Sequence, residues 1–275
     1  MSAPIVSIIV PTKNSTATLE HCLRSIKNQT YKQLEIIVVD NFSTDNTVEI
    51  ARQYADQFYQ KGPERSTQRN SGAIKAKGIY LAIIDSDMYL EEHVIEDCVA
   101  AIKPDGIEGL VIPEESIGEG FWAKCKALER SFYVGVDYME AARFFKRTTY
   151  LQLGGYDVAM VSGEDWDLSQ RVQQLGELVT ISHGIKHDEQ HISLLKTIKK
   201  KFYYAKKFAK YTGKNKQTAA TKCQTSLAIR YWLFLSQPSK LWRHPVVGLG
   251  MLFMKTCEFG ISGFGLVIGK LNIDV

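Results

Sequence analysis

Three short runs constrain this chain more than anything else in it. They are IVSIIV (residues 5–10), closed by Pro11, then LEIIVVD (Leu34–Asp40), then YLAIID (Tyr80–Asp85). Each is apolar at nearly every position rather than at alternate ones, so a strand built from it must be covered on both faces. Helical patterns lie between them. Ala17 to Lys27 carries Leu19, Cys22, Leu23 and Ile26 at helical spacing, a second helix is expected from Thr47 to about Phe58, and a third over 66–77. Fully apolar strands alternating with helices describe an α/β domain with a mostly parallel sheet. Ligands of such sheets bind beyond the carboxyl ends of the strands. Pro11-Thr12-Lys13-Asn14, Asp40 and Asp85-Ser86-Asp87 all fall at those ends.

The middle of the chain adds a strand at Gly109–Pro113, a helix from Phe121 to Tyr133, and a strand at Arg143–Lys146 entering Leu153-Gly154-Gly155-Tyr156. Ser162-Gly163-Glu164-Asp165-Trp166-Asp167 then opens a helix running to about Leu175, its acids suited to a helix N-terminus and Gly176 to its stop. With 45% hydrophobic and 23% charged residues the composition is that of an ordinary folding chain. Five scattered cysteines without a C-x-x-C pair argue against a disulfide framework or a zinc site and fit a reducing compartment. MSAPIVSIIVPTKN lacks a basic leading region and reads as a first strand, not as a signal peptide.

Charge divides the chain. From Gln190 to Cys257 there is no Asp or Glu but fourteen Lys and Arg, so with a net charge of +4 the remainder sums to −10 (4 − 14). A boundary near residue 190 is expected, with an acidic α/β domain over 1–190 and a basic helical extension over 191–275.

Asp85-Ser86-Asp87 raises the question of metal binding. One Asp-x-Asp is expected by chance in a chain of this size, so the triplet alone is weak. Two carboxylates two residues apart at a strand end can face the same side, and hard divalent cations prefer carboxylate oxygens. The second Asp-x-Asp, Asp165-Trp166-Asp167, opens a helix, where its carboxylates point about 200° apart and suit shared ligation poorly.

The series PTKN, VVDNFSTDNT, QRNSGAIKAKGIYLAIIDSDM, GGYD and GEDWDLSQRVQQLG, spanning Ile5 to His187, resembles the family 2 glycosyltransferases, which have the GT-A fold. The resemblance implies a nucleotide-diphosphate-sugar donor and Mn²⁺ or Mg²⁺ to help expel the nucleoside diphosphate. It implies that Asp87 binds the metal directly, that Asp85 contacts the ribose or a metal-bound water, and that His187 is a further metal ligand. His183 and His191 are the weaker choices, and a structural histidine is the competing view of His187. Pro11, Thr12, Asn14, Asp40 and Ser86 map onto the nucleotide-binding edge; Asp40 could instead merely end its strand and cap the turn. Arg69 is expected near the diphosphate, a solvated surface arginine being the alternative. Asp165 matches the family's general base of an inverting transfer, and Asp167 serves the helix N-terminus.

The extension holds a basic, aromatic-rich amphipathic stretch, ISLLKTIKKKFYYAKKFAKY (192–211), suited to an anionic membrane surface. LAIRYWLFL (Leu227–Leu235) and the run from Val246 to Gly269 are too apolar for a nucleic-acid arm. Lys255 and Glu258 interrupt the latter, so an in-plane or re-entrant helix is expected over a clean span. The reading is an enzyme at the cytoplasmic face of the membrane acting on a polyprenyl- or lipid-linked acceptor in envelope glycan assembly, with no nucleic-acid partner. The other uses of these segments are packing on the catalytic domain or a homo-oligomer interface. A sugar nucleotidylyltransferase is the rival enzyme, disfavoured because the loop PTKNSTAT has no glycine, and an inactive scaffold subunit is the rival from another class.

Overall fold

The computed structural model describes residues 5–215 and 218–271. In chain order the elements begin β1 (Val6–Thr12), α1 (Leu19–Lys27), β2 (Leu34–Asp40), α2 (Thr47–Tyr54), β3 (Gln57–Gln60), α3 (Arg65–Lys75), β4 (Tyr80–Ile83) and β5 (Met88–Leu90). Next come α4 (Val94–Ala101), β6 (Ile107–Val111), β7 (Glu114–Glu119), α5 (Phe121–Ser131), β8 (Ala142–Lys146), α6 (Arg147–Gln152) and α7 (Glu164–Gln173). Then follow β9 (Glu177–Thr180), β10 (Ile185–His191), α8 (Leu194–Lys214), α9 (Ala219–Thr225), α10 (Leu227–Leu235), α11 (Pro238–Trp242) and α12 (Pro245–Leu271).

Two compact units result. The first takes the chain up to Glu114 with Ala141–Ala159 and Asp165–Asp188; the second takes Glu115–Glu140, Met160–Glu164 and the chain from Glu189 onward. The first unit holds a seven-stranded sheet of order β3-β2-β1-β4-β8-β6-β9. Every neighbouring pair is parallel except those made by β8, which is antiparallel to both β4 and β6. Strand alternation sends Ile8, Val10, Ile36, Val38 and Phe144 to one face, where α1 and α4 supply Leu23, Ile26 and Ile95. It sends Ile9, Ile37, Val39, Ile83 and Phe145 to the other, against Ala73, Tyr150, Leu168 and Val172. This two-sided cover is why the strands are apolar throughout. Gly72 on α3 lets that helix approach the sheet: a Cβ there would lie 2.6 Å from Cγ2 of Ile9.

One local expectation changes. The second helix stops at Tyr54 instead of continuing to about Phe58, because Gln57–Gln60 form the edge strand β3 beside β2. His187 sits on β10, in antiparallel register with Met88 of β5.

The second unit is mainly helical. Its last helix, α12, lays Gly250 on Phe121 and Cys125 of α5, and Gly265 on Phe202 and Ala205 of α8. Lys255 and Glu258, which interrupt the apolar run in the sequence, are both buried. The Lys255 ammonium lies 2.7 Å from Glu129 and 2.6 Å from Glu258, while Lys126 pairs with Glu129 at 2.7 Å and the Tyr133 hydroxyl donates to Glu129 at 2.6 Å. Burial would raise the Glu129 carboxyl, but Lys126 and Lys255 outweigh it and hold it well below the ordinary carboxylate range. This cluster explains the division of the chain. The second unit takes the chain from Glu189 onward together with Glu115–Glu140, because α5 supplies the partners of the buried charges on α12.

Candidate active site

The parallel strands β1, β2 and β4 bring their carboxyl ends together, with Thr12 of β1 in register with Asp40 of β2. Pro11, opposite Val39, and Thr12 are buried here, and the Thr12 hydroxyl has no hydrogen-bond partner among the described residues. Gln68 of α3 ties the two strand ends by donating to the carbonyls of Thr12 (2.8 Å) and Val39 (2.5 Å). Asn14 has a left-handed backbone (φ 48°) and joins two loops: its amide donates to the Ser43 hydroxyl at 2.8 Å and its Oδ1 accepts the Thr44 amide at 2.9 Å. The Ser86 hydroxyl donates to that of Ser15 at 2.9 Å, so Ser86 faces the loop after β1.

Asp40 is fully buried and accepts the Ser43 amide at 2.9 Å, the Ser43 hydroxyl, and the Gln60 amide at 3.2 Å. These contacts end the strand and cap the turn that follows it.

Asp85 and Asp87 keep different partners within one cluster. β4 ends at Ile83, and the Met88 amide donates to the Asp85 carbonyl at 3.0 Å, closing a turn across Asp85–Met88. Asp85 faces Arg69 at 2.6 Å and Arg143 at 3.5 Å. Burial favours the protonated form of Asp85, but Arg69 and Arg143 overcome this and hold its carboxyl well below the ordinary range. Asp87 is 41% exposed and faces His187, whose Nε2 is 3.3 Å away. His183 instead pairs with Asp97 at 2.6 Å, so of the three candidate histidines it is His187 that approaches Asp87.

Arg69 is not a surface arginine. Its side chain is fully buried, one terminal nitrogen on Asp85 and the other on Asp165 at 2.8 Å, with Tyr156 under its guanidinium at 4.8 Å from the ring centre. Burial favours the neutral phenol of Tyr156 and pushes its pKa well up. Asn70, the next residue along α3, fixes that ring by accepting the Tyr156 amide at 2.9 Å and the Tyr150 hydroxyl at 2.7 Å and donating to the Tyr156 carbonyl at 2.8 Å. Gly155 permits this bracket: its φ is +68°, and a Cβ would lie 2.3 Å from Asn70 Oδ1. Asp167 is buried and pairs with Arg171 at 2.8 Å, so the two carboxylates of Asp165-Trp166-Asp167 do separate work.

Glu114 and Arg143, which the sequence reading did not single out, complete the arrangement. Glu114 lies 2.5 Å from Arg143 and 3.8 Å from Nδ1 of His187. Asp87, His187, Glu114, Arg143, Asp85, Arg69 and Asp165 thereby form one continuous chain of charged and titratable contacts. Four carboxylates face two guanidiniums in it, an excess of two negative charges with His187 neutral. Among the described residues no three His, Cys, Asp or Glu converge into a closed metal site. Asp87, 41% exposed, and the imidazole beside it offer one carboxylate and one ring nitrogen, a donor pair that fits a hard cation keeping water or phosphate as its remaining ligands. Glu114 lies on the other side of the His187 ring, 3.8 Å from Nδ1.

Comparison with known proteins bears on this geometry. A PGL/p-HBAD biosynthesis glycosyltransferase from Mycobacterium bovis is 31% identical over 192 residues, 66% of this chain and 74% of that protein. GlyG of Streptococcus pneumoniae is 37% identical over 99 residues, 34% of this chain and 33% of that protein. The chain matches about a third of the length of the first such relatives. Among solved structures, the mannosyltransferase PcManGT from Pyrobaculum calidifontis, in complex with GDP-Man and Mn²⁺, superposes with TM-score 0.59 at 17% identity over 98% of this chain and 87% of that one. TarS 1–349 of S. aureus, in complex with UDP-GlcNAc, gives TM-score 0.53 at 15% identity over 98% and 92%. These likenesses show the GT-A fold. The profile of glycosyl transferase family 2 matches residues 7–161, more than half of the sequence, and the chain belongs to that family.

Proposed function

We propose that this chain is a metal-dependent, inverting glycosyltransferase that moves a sugar from a UDP- or GDP-linked donor to a lipid-linked acceptor at the cytoplasmic face of a membrane. The observation that carries the reading is the charge chain at the carboxyl ends of β1, β2 and β4, with its two-charge negative excess and its exposed end at Asp87 and His187. PcManGT, with GDP-Man and Mn²⁺, and TarS, with UDP-GlcNAc, support a nucleotide-sugar donor and a divalent ion. A bound Mn²⁺ or Mg²⁺, held by Asp87 and His187, would supply Lewis-acid stabilisation to the departing diphosphate.

The chain's own residues do the rest. Asp165 takes the proton of the acceptor hydroxyl as that oxygen bonds to the anomeric carbon, while the bond to the diphosphate breaks and the nucleoside diphosphate leaves with the electron pair. Arg69 holds Asp165 and Asp85 on adjacent nitrogens of one rigid plane, which fixes the base relative to the donor edge. Thr12, Asn14, Ser86 and the loop after Asp40 line the nucleotide edge.

Attachment to the membrane is supported by the outer face of α12. Pro245–Ile268 is long and apolar enough to cross a bilayer by length and composition, yet its inner face carries Lys255 and Glu258 into a protein cluster. An in-plane helix satisfies both facts.

Thermal-shift screening of nucleotide-diphosphate sugars with and without Mn²⁺ tests the donor and metal together. One donor class should stabilise the protein only with the ion, and Asp87→Ala and His187→Ala should each remove the ion-dependent part. Equal stabilisation with and without the ion would defeat the metal assignment. Retention of the donor's anomeric configuration in the product would defeat inversion.

A further inference from the structure

The second unit contains a cavity of about 860 Å³ that the reaction does not use. Its walls come from Glu115 of β7, from α5, from Lys240 of α11 and the turn after it, and from the first residues of α12. Lys124, Lys240, Arg243 and His244 line it against a single acid, Glu115, and the apolar side is Val246 and Val247. Lys124 and Arg243 are exposed and form no ion pair among the described residues. The Lys240 ammonium is held at the rim by the Ser131 carbonyl at 2.8 Å and lies 5.6 Å from the centre of the Phe132 ring.

From this cavity an uncharged stripe runs outward along α12. Val246, Leu249, Phe253, Phe264 and Val267 are each more than half exposed, with Thr256 and Gly260 between them and no charged residue between Val246 and Val267 on that face. The helix is inverted relative to one on a water-facing surface, its charges turned inward and its apolar side chains outward. Trp242, more than half exposed, stands beside Arg243 at the junction of the cationic and apolar zones, where interfacial tryptophans concentrate. A free phosphate would use only the cations and a soluble apolar ligand only the stripe. A nucleic-acid backbone would gain nothing from Val246 to Val267.

We propose that this cavity binds the phosphate headgroup of an anionic lipid whose acyl or prenyl chain lies along the outer stripe of α12. The first residues of α12, Pro245–Val247, belong to the same lining, so the positive end of that helix's dipole lies beside the cations. The proposal rests on the membrane reading of α12 above, and adds to it a defined headgroup site.

Flotation of the full chain with phosphatidylcholine vesicles, and with vesicles containing added phosphatidylglycerol, separates the two claims. The wild type should bind both and prefer the anionic vesicles. Each cation near an anionic surface strengthens binding by about fivefold, so Lys124→Gln/Lys240→Gln/Arg243→Gln should lose most of that preference, roughly a hundredfold, while neutral-vesicle binding is kept. Lys196→Gln/Lys199→Gln/Lys200→Gln on α8 controls for general charge and should retain more of the preference. Binding of the triple cavity variant indistinguishable from wild type, or an equal loss in the α8 variant, overturns the headgroup site and leaves the membrane reading standing. Complete competition by inorganic phosphate also overturns it, by making the ligand a free anion. No binding to either vesicle overturns both.

Discussion

Replacing Arg69 by lysine keeps the positive charge and removes the fork, which isolates what the fork does. In the structure two nitrogens of one planar group serve Asp85 at 2.6 Å and Asp165 at 2.8 Å, and the plane lies over Tyr156. A single ammonium cannot hold that geometry on both acids and gives up the flat contact with the ring. One lost charge-assisted hydrogen bond costs about 1.5–3 kcal/mol, and the ring contact adds about 0.5–1 kcal/mol. Arg69→Lys should therefore cost about 2–4 kcal/mol, a large part of the roughly 5–15 kcal/mol that holds a typical domain together. Arg69→Met leaves Asp85 with Arg143 at 3.5 Å and Asp165 without its arginine, for which about 3–5 kcal/mol is expected.

The pH dependence gives a second handle on the same residue. Asp85 is held below the ordinary carboxylate pKa in the folded chain, so its contribution is full above the unfolded value near ~3.9 and fades as pH falls below it. Arg69→Met should flatten that acid-side loss as well as lower stability at neutral pH. Urea unfolding at neutral and acid pH measures both. A lysine variant within about 0.5 kcal/mol of wild type, with an unchanged acid slope, would refute the bridging role of Arg69.

Three further outcomes follow from the geometry. The buried Tyr156 hydroxyl has no partner among the described residues, so Tyr156→Phe should be neutral or stabilising by up to about 1 kcal/mol, whereas Tyr156→Leu should lose about 1–3 kcal/mol and loosen Arg69; thermal melts of the pair decide it. Gly155→Ala combines a left-handed backbone with a collision against Asn70 and should cost about 1–3 kcal/mol, while Ala159→Gly in the same region serves as a mild reference for denaturation. Lys201 is pushed down to about 8, by Lys126 first and then by burial. It binds fewer protons folded than unfolded between that value and the ordinary lysine range, so its contribution to stability rises with pH across that window; an NMR titration of its ammonium should show a midpoint near 8, and one near 10 would contradict the crowding of lysines there.

Much of the first unit was legible because its signals are local. Runs such as IVSIIV state two-sided burial outright, and the spacing of Leu19, Cys22, Leu23 and Ile26 gave α1, with all four of those residues buried. β3 was missed because an edge strand reading QFYQ carries no apolar run, and its evidence is a hydrogen-bonding partner. β10 was missed for a similar reason: IKHDEQH is polar, and it is a strand through its pairing with β5. The reach of the second unit back to Glu115 was hidden because the charge count marks where lysines begin and says nothing of where Glu129 and Lys126 will be needed.

The site shows the same limit at a finer scale. The expectation that Asp85 and Asp87 can face one side drew on strand geometry, in which residues two apart share a face. The strand ends at Ile83, and a turn carries the two aspartates, whose partners come from elsewhere in the chain. Asp85 is drawn among arginines from α3 and β8, both remote in sequence, and Asp87 is left open beside a histidine about a hundred residues away. This separation is chemically useful. A carboxylate neutralised by two guanidiniums is a poor competitor for a cation but a stable strut, and its partner at the exposed end keeps its charge available. Arg69 and Asn70, adjacent on α3, carry that strut to Asp165 and to Tyr156, so a short polar stretch of one helix organises both ends of the proposed reaction. The spacing of two aspartates suggested a cation; the fold gives the two different partners, Asp85 among arginines and Asp87 beside His187.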